Sequence, residues 1–456
     1  MSHAMRPHPG SRRAAAARVP PSSAREWPPP ARFARAGRVI AAARTPHAVA
    51  TVVRWAFYLF VFSIPLEYPQ RSIPLEVHTI TGSLFLLAAL LQPRLCFRRP
   101  PAAILWFASY LWIYAALNIL SQHPADAWKL FFNYLEVALV LWAASNVLRF
   151  DNVAWKAFGG FIVGAVIIGV LQRSEIATSN VEGRLVVFGQ DPNMLGGNMA
   201  IGLLMLLGLA YGRDRVPMRV QVVAGLAGLL LLRTLLYSGS RGAGVALAVG
   251  VVTFAFRGGN VRQIAKHVGI AVLAGTVLVA AAYRNQSLLK RYQYTVSEGD
   301  LSGREEIYPE ALKMIKERPV FGWGPGEHLY ELGRRTSGFQ IGSRNADGVA
   351  VHLARDTHDV LLDILTSVGL VGGFPFFAAI AAGVSAAWRV RAGPRATLPL
   401  ALLACELTIG LSLDVAASKQ LWLILAYAIA SVRPPVSSYV VVRHRHREAA
   451  PIATYG

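Results

Sequence analysis

Apolar and polar positions along the 456-residue chain fall into long blocks. Twelve apolar segments recur, near 48–66, 75–92, 102–121, 129–148, 153–172, 192–211, 220–238, 243–256, 267–283, 366–388, 397–413 and 420–433. Most approach the roughly 20 residues a helix needs to cross a hydrocarbon core of about 30 Å; the eighth is short. The pattern predicts an all-α polytopic membrane protein of about 12 transmembrane helices. Between Arg284 and Arg355 about seventy residues turn polar, and apolar sequence resumes directly after Thr357 and His358. The chain thus divides into a tail over 1–46, nine segments over 47–283, one large loop over 284–356, three segments over 357–433 and a second tail over 434–456.

Composition agrees with a membrane domain: 54% of residues are hydrophobic and 16% charged. The net charge of +21 is unevenly placed. With both termini in the cytoplasm, 28 of the 46 Lys and Arg residues lie in the tails and inner loops, where Glu26, Asp151, Asp214 and Glu448 are the acids. That asymmetry obeys the positive-inside rule and puts the large loop outside. It accounts for the basic balance without nucleic-acid binding. The N-terminal tail is rich in Arg, Ala and Pro, but lacks the Ser content and amphipathic face of a transit peptide. It reads as a disordered basic cytoplasmic tail, with the first segment as an uncleaved anchor. Cys96 falls in an inner loop and Cys405 inside a segment, which gives neither a disulfide framework nor a metal-ligand spacing.

Inside the loop the period changes. From Ser302 the sequence SGREEIYPEALKMIKER begins with a capping box, Ser302 to Glu305, and places Ile307, Ala311, Met314 and Ile315 on one face. That predicts a short amphipathic helix on the membrane domain, kinked or restarted at Pro309. Gly322-Trp323-Gly324-Pro325-Gly326 predicts a tight turn, Glu327–Arg335 a short helix, and 336–356 irregular chain. The next helix is expected to begin near Thr357, with Leu361, Leu362 and Leu365 on the side toward the bilayer.

Four outward residues carry the candidate chemistry. Arg184 lies in EGRLVVFGQDPN, Arg241 in YSGSRGAG, Arg304 opens the loop helix and His358 closes the loop. An outer arginine at membrane depth cannot shed its charge and needs an anion. Each alone also fits a local carboxylate pair or a snorkelling side chain. Together they suggest a phosphate clamp, because guanidinium forks match phosphate oxygens and stabilise charge on a departing pyrophosphate. Asp356, Asp359 and Asp363 surround His358 in sequence; a carboxylate beside an imidazole favours a general base, and a helix-start histidine bonded locally is the plainer reading. Glu298 and Asp300 form an E-x-D pair near Glu305 and Glu306, expected to be a solvated acidic stretch rather than a metal site.

SRGAG at the end of a segment, GREEIYPEALKMIKERPVFGWGPG in a large outer loop and THDVLLDILTSVGLVGG leading into the next segment resemble the O-antigen ligase family. That superfamily of bacterial membrane enzymes also includes O-antigen polymerases and O-oligosaccharyltransferases. The resemblance covers about 184–373 in order, including DPNMLGGN. It implies a GT-C-like glycosyltransferase fold in the inner membrane, with a periplasmic active site. It further implies an undecaprenyl-pyrophosphate-linked glycan donor and metal-independent inverting transfer without a cofactor. By motif, Arg241 and Arg304 would bind the donor pyrophosphate and assist catalysis, with Arg184 and Tyr308 as further substrate-binding residues, and His358 would activate the acceptor hydroxyl. Two departures stand out: Asp359 replaces the more usual Asn after the histidine, which is expected to affect the imidazole, and Tyr308 replaces a common Trp.

Within the family, one dominant late loop and a short C-terminal tail favour a ligase acting on a lipid A-core acceptor over a polymerase or a protein O-oligosaccharyltransferase. A lipid-linked glycan transporter or flippase is the reading from another class; the halves show no repeat and no paired broken helices.

Overall fold

Leu- and Ala-rich apolar stretches whose backbone must satisfy its own polar groups have one economical solution, the helix. In the computed structural model, helices occupy eleven of the twelve apolar segments. The structure describes residues 49–66, 76–181, 184–211, 217–256, 303–336, 354–392 and 395–432, with the single position 269. The expected segment 267–283, both tails, the Glu298/Asp300 pair and most of 336–356 lie outside the described residues. In chain order the elements are α1 (Thr51–Ser63), α2 (Val77–Ala89), the short α3 (Pro93–Cys96), α4 (Ala102–Asn118), α5 (Pro124–Val147) and α6 (Asp151–Arg173). There follow β1 (Thr178–Val181), β2 (Arg184–Val187), α7 (Pro192–Tyr211), α8 (Met218–Ser238) and α9 (Arg241–Ala255). The loop supplies α10 (Arg304–Glu317) and α11 (Glu327–Arg335), before α12 (Val360–Arg389), α13 (Leu398–Gly410) and α14 (Lys419–Ser431).

Among the described residues, five helices are long and apolar enough to cross a membrane: α5, α6, α7, α8 and α12. Five more, α1, α2, α4, α9 and α13, are apolar but shorter, at 10–17 residues. The fold is not purely α. The stretch read as an outer loop before the sixth segment is an antiparallel hairpin, Thr178 opposite Val187 and Val181 opposite Arg184. Its β-branched and alternating residues suit a strand better than a loop.

The centre of the bundle is α14, buried on nearly every side, as an all-apolar helix must be when it has no lipid face. It packs against α5, α12 and α13. Trp422 stacks on Phe107 of α4 with ring centroids 4.0 Å apart. Ionisable groups this deep need partners: Lys419 pairs with Glu136 of α5, and Gln420 donates to Glu406 of α13 at 2.6 Å. By contrast α8 exposes Val220, Val223, Leu226 and Leu229, the pattern of a helix facing hydrocarbon.

α12 is broken within its length: Gly369 has φ 61° and ψ −162°, a conformation reserved for glycine. The half before the break carries the end of the polar loop, and the half after it continues as a long apolar helix.

Candidate active site

The last carbonyls of a helix have no partner inside it and carry the negative end of its dipole. At the end of α13 that position is taken by α10. Arg304 donates from Nη2 to the Ser412 carbonyl at 2.7 Å, and Tyr308, one turn further on, donates its hydroxyl to the Leu411 carbonyl at 3.2 Å. Four-residue spacing puts both on one face of α10, which explains why the two act as a pair. The same turn meets α9: Gly242, directly after Arg241, lies so close to Ser412 that any Cβ there would collide with its side chain. Arg241 is the first residue of α9, behind an N-cap in which Ser240 Oγ accepts from the Ala243 amide at 3.2 Å. Ser240 also donates to Asn193 Oδ1 at 3.0 Å, and Gly196 fits against Ser238, Ser240 and Ala243. The SRGAG and DPNMLGGN motifs are therefore two halves of one packing contact. The elements bearing Arg241 and Arg304 meet at Ser412.

His358 sits on the other flank, in a turn built from its own neighbours. Its backbone is left-handed, φ 53°, a conformation costly for a residue with a Cβ and often found at functional sites. Asp356 holds the turn: its Oδ1 accepts from the His358 amide at 2.9 Å, and its Oδ2 lies 3.8 Å from His358 Nδ1. The imidazole is 39% exposed, open enough for a substrate to reach. Asp359 is the N-cap of α12, accepting from the Leu361 and Leu362 amides at 2.8 and 3.0 Å. The helix thus starts at Val360 and not at Thr357, and of the three nearby acids only Asp356 faces the imidazole. Asp and Asn cap helices equally well, so the departure at Asp359 preserves the turn.

Asp363 turns away from His358 toward a second histidine. His328 of α11 is buried, with Nδ1 3.2 Å from the Gly324 carbonyl and Nε2 3.2 Å from Asp363 Oδ1. A carbonyl only accepts, so Nδ1 carries a proton, and the Nε2–Asp363 contact needs a second one on either partner. Burial works against a charged ring, yet the charge and hydrogen bond of Asp363 outweigh it and raise the proton affinity of His328. Asp363 in turn stands with Asp356 and Asp414: carboxylate oxygens of the three lie within 4.8 Å of one another. Three acids this close must offset their repulsion with retained protons, the neighbouring imidazolium or a cation. Loss of hydration, reinforced by Asp363 and Asp356, pushes the Asp414 carboxyl well above the usual range; the same two causes, loss of hydration and then Asp363, raise Asp356. Burial also raises Tyr308, against the opposing charge of Arg304.

The loop helices are fixed by a small core of their own. Ile307, Ala311, Met314 and Leu332 are buried together, with Tyr308, Trp323 and Leu362 against them. Three of the four residues expected on the inner face of α10 are buried there, and Ile315 is half-buried. Leu362 joins this core instead of facing lipid. α10 runs through Pro309 without interruption to Glu317, and its N-cap is Gly303, φ 81°, with no side-chain cap; Ser302 of the expected capping box lies outside the described residues. Trp323 donates to the Met314 carbonyl at 3.1 Å and lies beneath the Arg318 guanidinium, 3.9 Å from the ring centroid.

Of the residues singled out from sequence, Arg241, Arg304, Tyr308 and His358 lie on elements that converge around the turn 411–414. Arg184 is elsewhere: buried, at the start of β2, on a hairpin packed against α6, α7 and α8. Asp414 and His328 were missed. Residues 226–377 match the family model described as O-antigen ligase, a stretch that includes Arg241, Arg304, Tyr308, His328 and His358 but neither Arg184 nor Asp414. No curated protein matches the chain.

Proposed function

With residues 226–377 in the O-antigen ligase family and a multi-helix membrane scaffold around them, we propose that the protein is an O-antigen ligase. It moves a polysaccharide from undecaprenyl pyrophosphate to a hydroxyl of a lipid A-core acceptor at the periplasmic face of the inner membrane. The observation that carries this reading is the meeting of α9, α10 and the start of α12 around 411–414. Two arginine-bearing helix starts and an exposed imidazole share one side of the bundle there.

In the proposed reaction Arg304 and Arg241 hold the pyrophosphate by charge-assisted hydrogen bonds, which strengthen as negative charge develops on the departing oxygen. Tyr308 adds a contact beside Arg304. His358 takes the proton of the acceptor hydroxyl as its oxygen attacks the anomeric carbon from the face opposite the pyrophosphate, so configuration inverts. The bond formed is the new glycosidic bond, the bond broken is sugar to pyrophosphate, and the proton leaves on the imidazole. The arginines supply the charge that a divalent ion would otherwise bring, and Arg184 is assigned a peripheral part in donor binding. A polymerase or O-oligosaccharyltransferase would use the same groups with a different acceptor.

The test is transfer in proteoliposomes supplied with labelled lipid-linked glycan and core-truncated lipopolysaccharide, with excess chelator present. The expected result is a ladder of covalently extended lipopolysaccharide. Movement of the labelled lipid without any covalent product would make the protein a carrier. Activity that requires magnesium or manganese would rule out the metal-independent mechanism and point instead to the three converging carboxylates.

A further inference from the structure

The glycine-rich turn of the loop and the break in α12 are one structure. At the break the half-helix ending at 368 offers carbonyls, and the half-helix starting at 370 offers amides, that no helical neighbour satisfies. Residues 319–324 run alongside and satisfy both sets. Leu370 and Val371 donate to the Pro319 and Val320 carbonyls at 2.8 and 3.1 Å, while Trp323 and Gly324 donate to the Thr366 and Ser367 carbonyls at 2.8 and 2.9 Å.

The approach leaves no room for side chains. A Cβ on Gly322, φ 68°, would stand 2.6 Å from the Ser367 carbonyl oxygen and 2.7 Å from the Gly369 amide nitrogen. A Cβ on Gly369, φ 61°, would stand 2.5 Å from the Val320 carbonyl and 2.6 Å from the Gly322 amide nitrogen. All these neighbours are backbone, which cannot swing aside. Both positions also have left-handed φ, so each glycine is required twice over, by conformation and by space.

We infer that Gly322 and Gly369 are positioning residues: their backbone clasp joins the end of α10 to the break in α12 and so sets the distance between Arg304 and His358. Arg304 opens α10, which leads directly into the clasp, and His358 precedes the half-helix that ends in it. Arg304 has its own anchor at the Ser412 carbonyl. The turn of His358 is held by Asp356 and Asp359 of its own segment, and Arg355 ties that segment to Glu306 of α10 at 3.2 Å, so the clasp sets the course of the half-helix behind the turn. Loosening it shifts the imidazole relative to a donor site that Arg304 keeps anchored. Misplacement of a reacting group by about 1 Å costs on the order of 100-fold in rate. The inference rests on the assignment of Arg304 and His358 to the reaction.

The experiment compares Gly322→Ala, Gly369→Ala and the double variant in full-length, detergent-purified protein, reading gel-filtration profile, binding of a lipid-linked glycan and turnover. Folded single variants should bind donor like the wild type and lose roughly 100-fold in turnover. The double variant should lose no more than the worse single one, because both break the same contact. Where Gly369→Ala does not fold, Leu370→Pro carries the same test: it deletes the bond to the Pro319 carbonyl at a first helical position, where proline is otherwise accepted. Wild-type turnover in folded Gly322→Ala or Leu370→Pro would overturn the inference, as would donor binding lost in step with turnover, or additive losses. His358→Ala, run alongside, separates the two ideas: if it is inactive while the clasp variants are fully active, the clasp alone is refuted. If His358→Ala is active, the underlying assignment fails first.

Discussion

Beside the site, two acids and a histidine with raised proton affinity face one another. His328, Asp356 and Asp414 all have folded-state values above their ordinary ones of 6.5, 3.8 and 3.8. Groups raised in this way stabilise the fold fully below their ordinary values and lose that contribution as pH climbs through the raised ones. The groups facing the cluster are Asp359 and His358 on the turn, Asp363 on α12, and Tyr110, Tyr114 and Tyr134 from α4 and α5. Melting temperature should therefore fall as pH climbs above those ordinary values, and Asp414→Asn should flatten that slope. A wild-type curve that rises with pH, or an Asn variant with an unchanged slope, would contradict the assignment. Arg304 stood out in sequence because it opens an amphipathic helix inside the polar loop, and Arg241 and His358 because charge at the edge of an apolar segment is costly. Asp414 has the same signature, an acid directly after the eleventh segment on the side of His358, and that signal was there to be read. His328 had none, since one histidine in an amphipathic helix looks like any other until Asp363 is seen opposite it.

At the scale of elements, long apolar runs gave helices near the expected places, because length and composition leave a membrane segment few alternatives. The loop helices were equally readable, with Glu327–Arg335 found at its expected limits, since their buried positions repeat with helical period. What failed was local. The hairpin at Thr178–Val187 is too short to show a period against its Gly- and Asn-rich surroundings. The start of α12, expected near Thr357, is fixed at Val360 by the Asp359 cap. The break at Gly369 sits inside an unbroken apolar run, and its cause lies in residues 319–324, distant in sequence. Backbone-to-backbone contacts leave no mark in hydropathy; here the only trace was glycine at both ends.

At the scale of the whole molecule, the orientation expected from the basic loops is open to direct test. Cys96 itself is a poor reporter, being buried, with its thiol pushed up to about 11 by that burial. Arg99 is exposed in the same loop, which is expected to face the cytoplasm. Arg99→Cys, in a background with Cys96 and Cys405 changed to Ala, should react with an impermeant thiol reagent in inside-out vesicles and stay silent in intact spheroplasts. Labelling in spheroplasts would invert the orientation and move the candidate site to the cytoplasmic face.

The proposed reaction divides its labour between a donor-holding arginine and an acceptor-facing histidine on elements that meet at one turn. The most direct measurement is donor binding beside turnover in folded, detergent-purified Arg304→Ala, Arg304→Lys and His358→Ala. Loss of a general base costs on the order of 10² to 10⁴ in rate, so His358→Ala should bind lipid-linked glycan normally and turn over hardly at all. Arg304→Ala should lose both, and Arg304→Lys should recover little, because an ammonium lacks the guanidinium fork. Wild-type turnover in His358→Ala, or full donor affinity in Arg304→Ala with loss of it in His358→Ala, would contradict the account.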